Sequence, residues 1–447
     1  MSVIAGMFPK FESPSARRSK TVRRFGIDID DFDPVLTIAF ISLLTIGLIM
    51  VASSSISVAD RNFSNPFYYL QRQLVFVVMG FAAALTVFKI RLAQWEKASM
   101  VLLMSALLLM VLVLVPGIGK SVNGSTRWLP LGVINLQVSE LAKLFLVVYV
   151  SSYLVRHGDA VRSSLWGFLK PMLMVGITGL LLLMEPDFGA TMVIMGTVLA
   201  MTFLAGVRFS QFISFVFIFV SAALLLVVTS PYRMQRITAF ANPWADPFDS
   251  GFQLTQSLIA IGTGGWFGTG LGGSVQKLFY LPESHTDFLF AVLSEELGFV
   301  GIFMVVILYA VVFFRSFKIA AQAEASGNYF AAHVAQGIGI WLSMQAMINM
   351  GVNIGLLPTK GITLPLMSYG GSSLIVCCMA IGLLMRIHYE TSSEVKQASR
   401  KQTGKAARQV PVRKIRTQNG QTRRNRKTGL SVAVSKICHV STRAGRV

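Results

Sequence analysis

Residues 281–290, LPESHTDFLF, place acidic and imidazole groups at the start of a strongly apolar stretch. Glu283, His285 and Asp287 lie within five positions, and two further acids, Glu295 and Glu296, follow about 12–14 Å farther along if the stretch is helical. An isolated Asp at a helix start is usually a cap or a partner of the helix dipole. The neighbouring titratable groups favour a functional interpretation of Asp287 instead.

Other polar groups could converge on this stretch from separate segments. Arg127 precedes Trp128, a pair typical of a cation beside an aromatic platform that binds an anionic, partly apolar ligand. Arginine and lysine suit a phosphate ligand, although each one singly is equally well explained by an ion pair or by snorkelling. The further candidates are Glu185 and Asp187 in EPDFG, Arg233 and Arg236 in PYRMQR, and Lys360 in LLPTKG.

The composition shows what kind of chain carries these groups. Of 447 residues, 53% are hydrophobic and only 13% are charged, which indicates an all-α polytopic membrane protein. Ten apolar runs can be interpreted as transmembrane helices. The weakest, 140–155, contains Glu140 and Lys143, and it is kept because ten spans leave the basic tail in the cytoplasm. The runs are 34–54, 72–89, 98–115, 140–155, 167–184, 188–206, 209–229, 287–314, 330–352 and 364–386.

The Lys and Arg residues of the short loops place both termini in the cytoplasm. The chain then divides into a basic leader, 1–33, a membrane domain, 34–387, and a basic tail, 388–447, with 15 Lys and Arg against two Glu. The tail is predicted to be disordered and to fix topology near anionic lipid, with no nucleic-acid partner. Residues 230–286 become a large extracytoplasmic loop between helices 7 and 8, so LPESHTDFLF faces the outside.

The loop contains GTGGWFGTGLGG, residues 262–273, with seven glycines. Gly268, Gly270 and Gly273 match the dinucleotide pattern G-x-G-x-x-G, but no strand precedes them and no βαβ unit is available. The segment is therefore predicted to be close-packed, re-entrant or on the surface, with bare backbone against a helix or a lipid head group.

Several kinds of site are excluded. The five histidines are scattered, so no metal site is predicted, and no Ser/His/Asp, CxxC or Walker arrangement occurs. Two classes stay open. An enzyme would use carboxylates and cations on an extracytoplasmic substrate, whereas a transporter would depend on charges within the membrane.

Several phrases together resemble the SEDS family (shape, elongation, division and sporulation), and the resemblance covers residues 34–390. They are VNGSTRWLPLG, VSELAKL, EPDFGA, YLPESHTDFLFAVLSEELG and LLPTKGITLPLMSYGGSSL. ITAFANPWADPF and SVQKL are more similar to division members than to elongation members. Phe279 departs from the pattern, since relatives often have Glu there. The resemblance implies a ten-span peptidoglycan glycosyltransferase in the bacterial inner membrane at the septum, acting on lipid II, a disaccharide-peptide on undecaprenyl pyrophosphate.

The resemblance also implies roles for individual residues. Asp287 matches the essential aspartate of the family, which takes the proton from the acceptor 4-hydroxyl. Because pyrophosphate leaves as a stabilised anion, one base and several cations suffice. The candidate substrate-binding residues are Arg127, Trp128, Arg233, Arg236, Glu283, His285 and Lys360; the candidate supporting residues are Glu140, Lys143, Asp187, Glu295 and Glu296.

The implied partners are a class B penicillin-binding protein, which cross-links the strands, and other divisome proteins. No cofactor is required by the sequence, although a divalent cation, magnesium or manganese, could assist the pyrophosphate. Two alternatives remain. A lipid II flippase would depend on Lys143, Glu295 and Glu296 more than on Asp287, and a non-catalytic divisome scaffold would tolerate changes at all these positions.

Overall fold

The computed structural model describes residues 32–409 except 123, 124, 131, 133, 134, 250 and 360. The leader up to residue 31, Lys360 and residues 410–447 therefore lie outside the described residues, as do the side chains of 122, 232, 233 and 394–409. The chain divides into two units, Met1–Gln397 and Ala398–Val447. The site described below lies in the first unit.

Helices make up most of the chain. Asp33 begins the first of them, because its carboxylate accepts a hydrogen bond from the Leu36 amide and Pro34 follows at the first helical position. The helices are α1 Pro34–Phe63, α2 Tyr68–Lys89, α3 Leu92–Leu114, α4 Val138–Ser163, α5 Leu165–Met184, α6 Phe188–Leu204, α7 Phe209–Val228, α8 Pro231–Ala241, α9 Phe252–Gly264, α10 Leu289–Ala325, α11 Tyr329–Asn353 and α12 Gly371–Gln409.

The chain is a polytopic helical membrane protein. Within the described residues, eight helices are long and apolar enough to cross a bilayer: α1 to α5, α7, α10 and α12. α6 is a shorter apolar helix, and α11 has 25 residues. The weakest predicted run, 140–155, lies inside α4.

Two regions differ from the prediction. The expectation of an all-α chain is wrong for the segment between α3 and α4, where β1 Lys120–Val122, β2 Ser125–Pro130 and β3 Asn135–Gln137 form an antiparallel sheet in the order β1-β2-β3. In addition, α12 continues to Gln409, so residues 388–409 of the predicted disordered tail are helical.

The glycine-rich segment packs into a break in α10. The break is at Gly298, with φ +65° and ψ −161°. There the Phe299 amide donates to the Gly265 carbonyl, while the amides of Thr269 and Gly270 donate to the carbonyls of the two acids before the break, Glu295 and Glu296. Backbone groups freed by the break are thus satisfied without water. The prediction that bare glycine backbone packs against a helix is confirmed.

Gly268→Ala is expected to lower the free energy of unfolding by more than about 1 kcal/mol, and with it the melting temperature. Gly268 has φ +78°, and a Cβ there would lie 2.1 Å from the Glu296 carbonyl oxygen, which is backbone and has little room to move. The matched control is Gly262→Ala in α9, where a Cβ meets nothing within 4 Å and Ala favours the helix. Thermal unfolding of the purified variants checks this, and equal shifts would contradict it.

Candidate active site

Asp287 lies two residues before Leu289, where α10 begins, and it is held by its backbone. Its carbonyl oxygen accepts hydrogen bonds from Nδ2 of Asn349, at 2.8 Å, and of Asn353, at 3.1 Å, both on α11. The N-cap of α10 is Phe288, and no side chain caps this end of the helix. No described residue donates a hydrogen bond to the Asp287 carboxyl. The carboxyl therefore does not cap α10 and is available to a ligand.

The surroundings of Asp287 make it a base near neutral pH. Burial, followed by the negative charge of Glu283, raises the pKa of Asp287 to about 7, against the opposing effect of Arg127 and Arg236. Gly361 lies beside it, since a Cβ there would be 3.1 Å from Oδ2 of Asp287. A pKa close to the working pH is the value that suits proton transfer.

Arg127, on β2, is bound to backbone and to no described carboxylate. Its Nε donates to the Glu185 carbonyl at 3.1 Å, and Nη2 donates to the Pro186 carbonyl at 2.5 Å and to Ser125 Oγ at 3.1 Å. These bonds fix the guanidinium beside the turn between α5 and α6 and leave its charge without an ion pair in the described structure. Trp128 follows on the same strand, where it pairs with Lys120 of β1 and Gln137 of β3, and the register between β1 and β2 shifts at Arg127.

The other predicted cations are only partly described. Nη1 of Arg236, on α8, donates to the Thr359 carbonyl at 3.2 Å, one residue before Lys360. That contact places α8 beside the loop that carries Lys360. Lys360 itself and the Arg233 side chain lie outside the described residues.

Glu185, at the end of α5, is a carboxyl with unusual surroundings. Its side chain is fully buried, and neither carboxyl oxygen has a hydrogen-bond partner in the described structure. Burial, and then the charge of Asp187, raises the pKa of Glu185 to about 8, while Arg127 opposes the shift. Glu185 is therefore mostly neutral at pH 7, and Arg127 binds its backbone carbonyl, not its carboxyl.

Asp187 has a structural role that the sequence left open. Its Oδ1 accepts a hydrogen bond from the Ala190 amide at 3.0 Å and caps α6, and its Oδ2 accepts one from Ser139 Oγ at 3.1 Å. The residue thereby ties the start of α4 to the start of α6.

Glu140 and Lys143 form a buried ion pair with an N–O distance of 2.9 Å on α4. Lys143 Nζ also donates to Oε1 of Gln345 at 2.6 Å, and the same oxygen accepts a hydrogen bond from Trp341 Nε1 at 2.9 Å. Gln345 in turn donates to the Thr363 carbonyl at 3.1 Å, which ties α11 to the loop before α12. These residues connect helices, although Oε2 of Glu140 is buried without a hydrogen-bond partner in the described structure.

Glu295 and Glu296 hold the segment that leads into α10. Glu295 accepts hydrogen bonds from Ser274 Oγ at 2.5 Å and from the Val275 amide at 2.9 Å. Glu296 forms an ion pair with Lys277 at 2.7 Å and accepts a hydrogen bond from Ser53 Oγ on α1. Both acids face protein. Lys277 was not predicted as a partner of Glu296, because the two residues lie 19 positions apart in the chain.

Glu283 and His285 flank the site on its outer side. Glu283 is exposed, and its carboxylate accepts a hydrogen bond from Thr286 Oγ1 at 2.8 Å. Burial lowers the pKa of His285, against the opposing effect of Glu283, so the imidazole is neutral at pH 7. Its ring packs against Tyr69 with a centroid distance of 4.5 Å. In the part of the chain that the structure describes, no group of three or more metal-ligating side chains could hold a metal ion.

The chain is similar to known proteins over most of its length. The sequence model of the FtsW/RodA/SpoVE family of cell cycle proteins matches residues 34–393. A probable peptidoglycan glycosyltransferase FtsW of Thioalkalivibrio sulfidiphilus is 60% identical over 356 residues, covering 80% of this chain and 89% of that protein. The corresponding protein of Legionella pneumophila is 53% identical over 374 residues, covering 84% and 94%.

Two solved structures share the fold. One, of a peptidoglycan synthase complex that coordinates polymerization and crosslinking, is 27% identical with a TM-score of 0.67, covering 80% of this chain and 98% of that one. The other, the rod shape determining protein RodA of Thermus thermophilus, is 27% identical with a TM-score of 0.60, covering 80% and 96%. The chain therefore belongs to the FtsW/RodA/SpoVE family of cell cycle proteins, the SEDS family.

Proposed function

We propose that this protein is a peptidoglycan glycosyltransferase that polymerises lipid II into septal glycan strands, with Asp287 as the general base. The observation that carries the proposal is the Asp287 carboxyl, which has no described partner and a pKa of about 7. The names of the FtsW relatives support the same activity. The buried charges of Lys143, Glu295 and Glu296 are paired with protein groups, which gives no support to a transport pathway through them.

The reaction is an inverting transfer. Asp287 accepts the proton of the acceptor 4-hydroxyl while that oxygen forms a bond to the anomeric carbon of the donor sugar. The bond from this carbon to the pyrophosphate oxygen breaks, and undecaprenyl pyrophosphate leaves with the electron pair. Arg127 and Arg236 lie close enough to Asp287 for their positive charges to lower its pKa. They would also stabilise the anion that develops on the leaving group. Lys360 is a third candidate from its position in the chain.

The proposed topology has ten spans, α1 to α7 and α10 to α12, with both termini in the cytoplasm. Asp287 then lies at the outer end of α10, on the side where the cell wall is built. The partners are a class B penicillin-binding protein and other divisome proteins, and the protein acts in the inner membrane at the septum. The proposal includes no cofactor. A chelator that removes divalent cations from the assay is therefore expected to leave polymer formation unchanged.

The test is polymer formation by the full chain, reconstituted in liposomes with its cognate transpeptidase and supplied with labelled lipid II. A ladder of glycan products that lysozyme digests is the expected result. Lipid II that crosses the bilayer without forming polymer would instead identify a flippase. Neither polymer nor translocation by a folded complex would favour the scaffold.

The rate of polymer formation is expected to rise with pH through about 7. Asp287 can accept a proton only when ionised, so below its pKa the rate falls about tenfold for each pH unit. Initial rates across the pH range around neutrality check this, with the stability of the complex verified at each pH. A profile that is flat across this range would contradict Asp287 as the base.

A further inference from the structure

Beside Asp287 lies a cluster of rings that the proposed reaction does not use. We call Phe63, Tyr68, Tyr69, His285 and Tyr369 the aromatic shelf. Tyr69 is its centre, with ring centroids 4.5 Å from His285, 5.1 Å from Tyr369 and 5.5 Å from Tyr68. Phe63 stacks on Tyr68 at 3.9 Å with an interplanar angle of 14°.

The shelf is built from four separate segments and is fixed in place. Phe63 ends α1, Tyr68 and Tyr69 begin α2, and the other two rings precede α10 and α12. The Tyr369 amide donates a hydrogen bond to the His285 carbonyl at 2.9 Å, which joins the last two segments. Since His285 is two residues from Asp287, their Cα atoms are at most about 7.6 Å apart.

The surface of the shelf is both apolar and polar. Phe63 is 46% exposed and the other rings are half-buried, so their faces remain partly open. Arg72 lies over the Tyr68 ring, 5.4 Å from its centroid, and donates to the Tyr68 hydroxyl at 3.1 Å. Nδ1 of His285 is buried and has no hydrogen-bond partner in the described structure.

These features fit a sugar ring better than they fit lipid or a protein helix. A pyranose has C–H groups on its face, which pack on the electron-rich face of an aromatic ring, and hydroxyls at its edge that bond to phenol groups. An interfacial belt accounts for single tyrosines at helix ends. It does not account for Tyr69 packing inward on His285 and Tyr369, beside the reacting carboxyl.

We propose that the aromatic shelf binds a sugar ring of the glycan substrate next to the ring that reacts at Asp287. The inference rests on the proposed function for the identity of the substrate. It assigns to Tyr69 and Phe63 a contact with sugar and to Arg72 the positioning of Tyr68. The chemical class of ligand is a chain of alternating N-acetylglucosamine and N-acetylmuramic acid.

The test measures binding of peptide-free glycan fragments of this composition to the full chain in complex with its transpeptidase. Tyr69→Leu is expected to weaken binding by about tenfold and Phe63→Leu by about threefold, because each removes an aromatic face. Tyr69→Phe keeps the ring and is expected to recover most of the binding. Tyr69→Leu is also expected to raise the KM for lipid II more than it lowers kcat.

The matched control is Phe248→Leu, which removes a ring that is 88% exposed elsewhere on the outer loop and is expected to change nothing. Phe63→Leu keeps the test decisive if Tyr69→Leu lowers the melting temperature, because Phe63 is the most exposed ring of the shelf, at 46%. Unchanged fragment binding in both variants would overturn the proposal. Normal fragment binding with weaker binding of undecaprenyl phosphate would assign the shelf to lipid, and normal fragment binding with loss of the transpeptidase would assign it to the partner. Fragments that bind wild type without any polymer forming would contradict the proposed function and leave the shelf intact.

Discussion

Asp287→Asn is expected to abolish detectable polymer formation from lipid II, lowering the rate by about 10²–10⁴-fold. Asn has nearly the same shape but cannot accept the proton of the acceptor hydroxyl. The fold should survive, because the contacts that hold this position are made by the backbone carbonyl with Asn349 and Asn353. Gel separation of labelled products, with the melting temperature and partner binding measured on the same sample, checks the expectation.

Glu283→Gln is the matched control for that experiment. It removes an exposed carboxylate four residues away and leaves Asp287 in place as the base, so polymer should still form. Because Glu283 raises the pKa of Asp287, its removal should also shift the rising limb of the pH profile to lower pH. Full activity in a folded Asp287→Asn variant would rule out Asp287 as the base and reopen the search for that residue.

The helices were predictable because the membrane imposes them. A bilayer accepts only segments that satisfy their own backbone hydrogen bonds, so apolar length alone locates α1 or α10. Even the run with Glu140 and Lys143 was predicted to be a transmembrane helix, because an even number of spans is needed to leave the basic tail in the cytoplasm. The same reasoning placed Asp287 near the start of a transmembrane helix. It became a candidate because other titratable residues lie close to it in the sequence, since a single Asp at a helix start is usually a cap.

The contacts that shape the site were less accessible from sequence. Asn349 and Asn353, which hold Asp287, are 62 and 66 positions away in the chain. In the sequence, these residues are two amide side chains one helical turn apart in the apolar helix α11. That spacing does not indicate which residue they bind. The strand β2 was missed because apolar length does not detect short antiparallel pairs.

Lys277→Met is expected to destabilise the protein by about 3–5 kcal/mol, because it leaves Glu296 buried without its ion pair. The Lys277 side chain is 8% exposed and that of Glu296 is fully buried, with an N–O distance of 2.7 Å between them. Ser53 Oγ remains as a single donor and cannot compensate a full charge. Thermal and denaturant unfolding of the purified protein measure the loss.

Two further variants test whether Lys277 and Glu296 have a structural role or take part in lipid II transport. Lys318→Met removes an exposed lysine of α10, and its free energy of unfolding should stay within about 0.5 kcal/mol of the wild-type value.

The double variant Lys277→Met with Glu296→Gln removes both charges and should recover much of the lost stability, since no unpaired charge remains. If the folded double variant still forms polymer, the pair acts by holding the glycine-rich segment against α10. A stable double variant that neither translocates nor polymerises lipid II would instead show that these charges act on the substrate. That result would contradict a purely structural role of the pair.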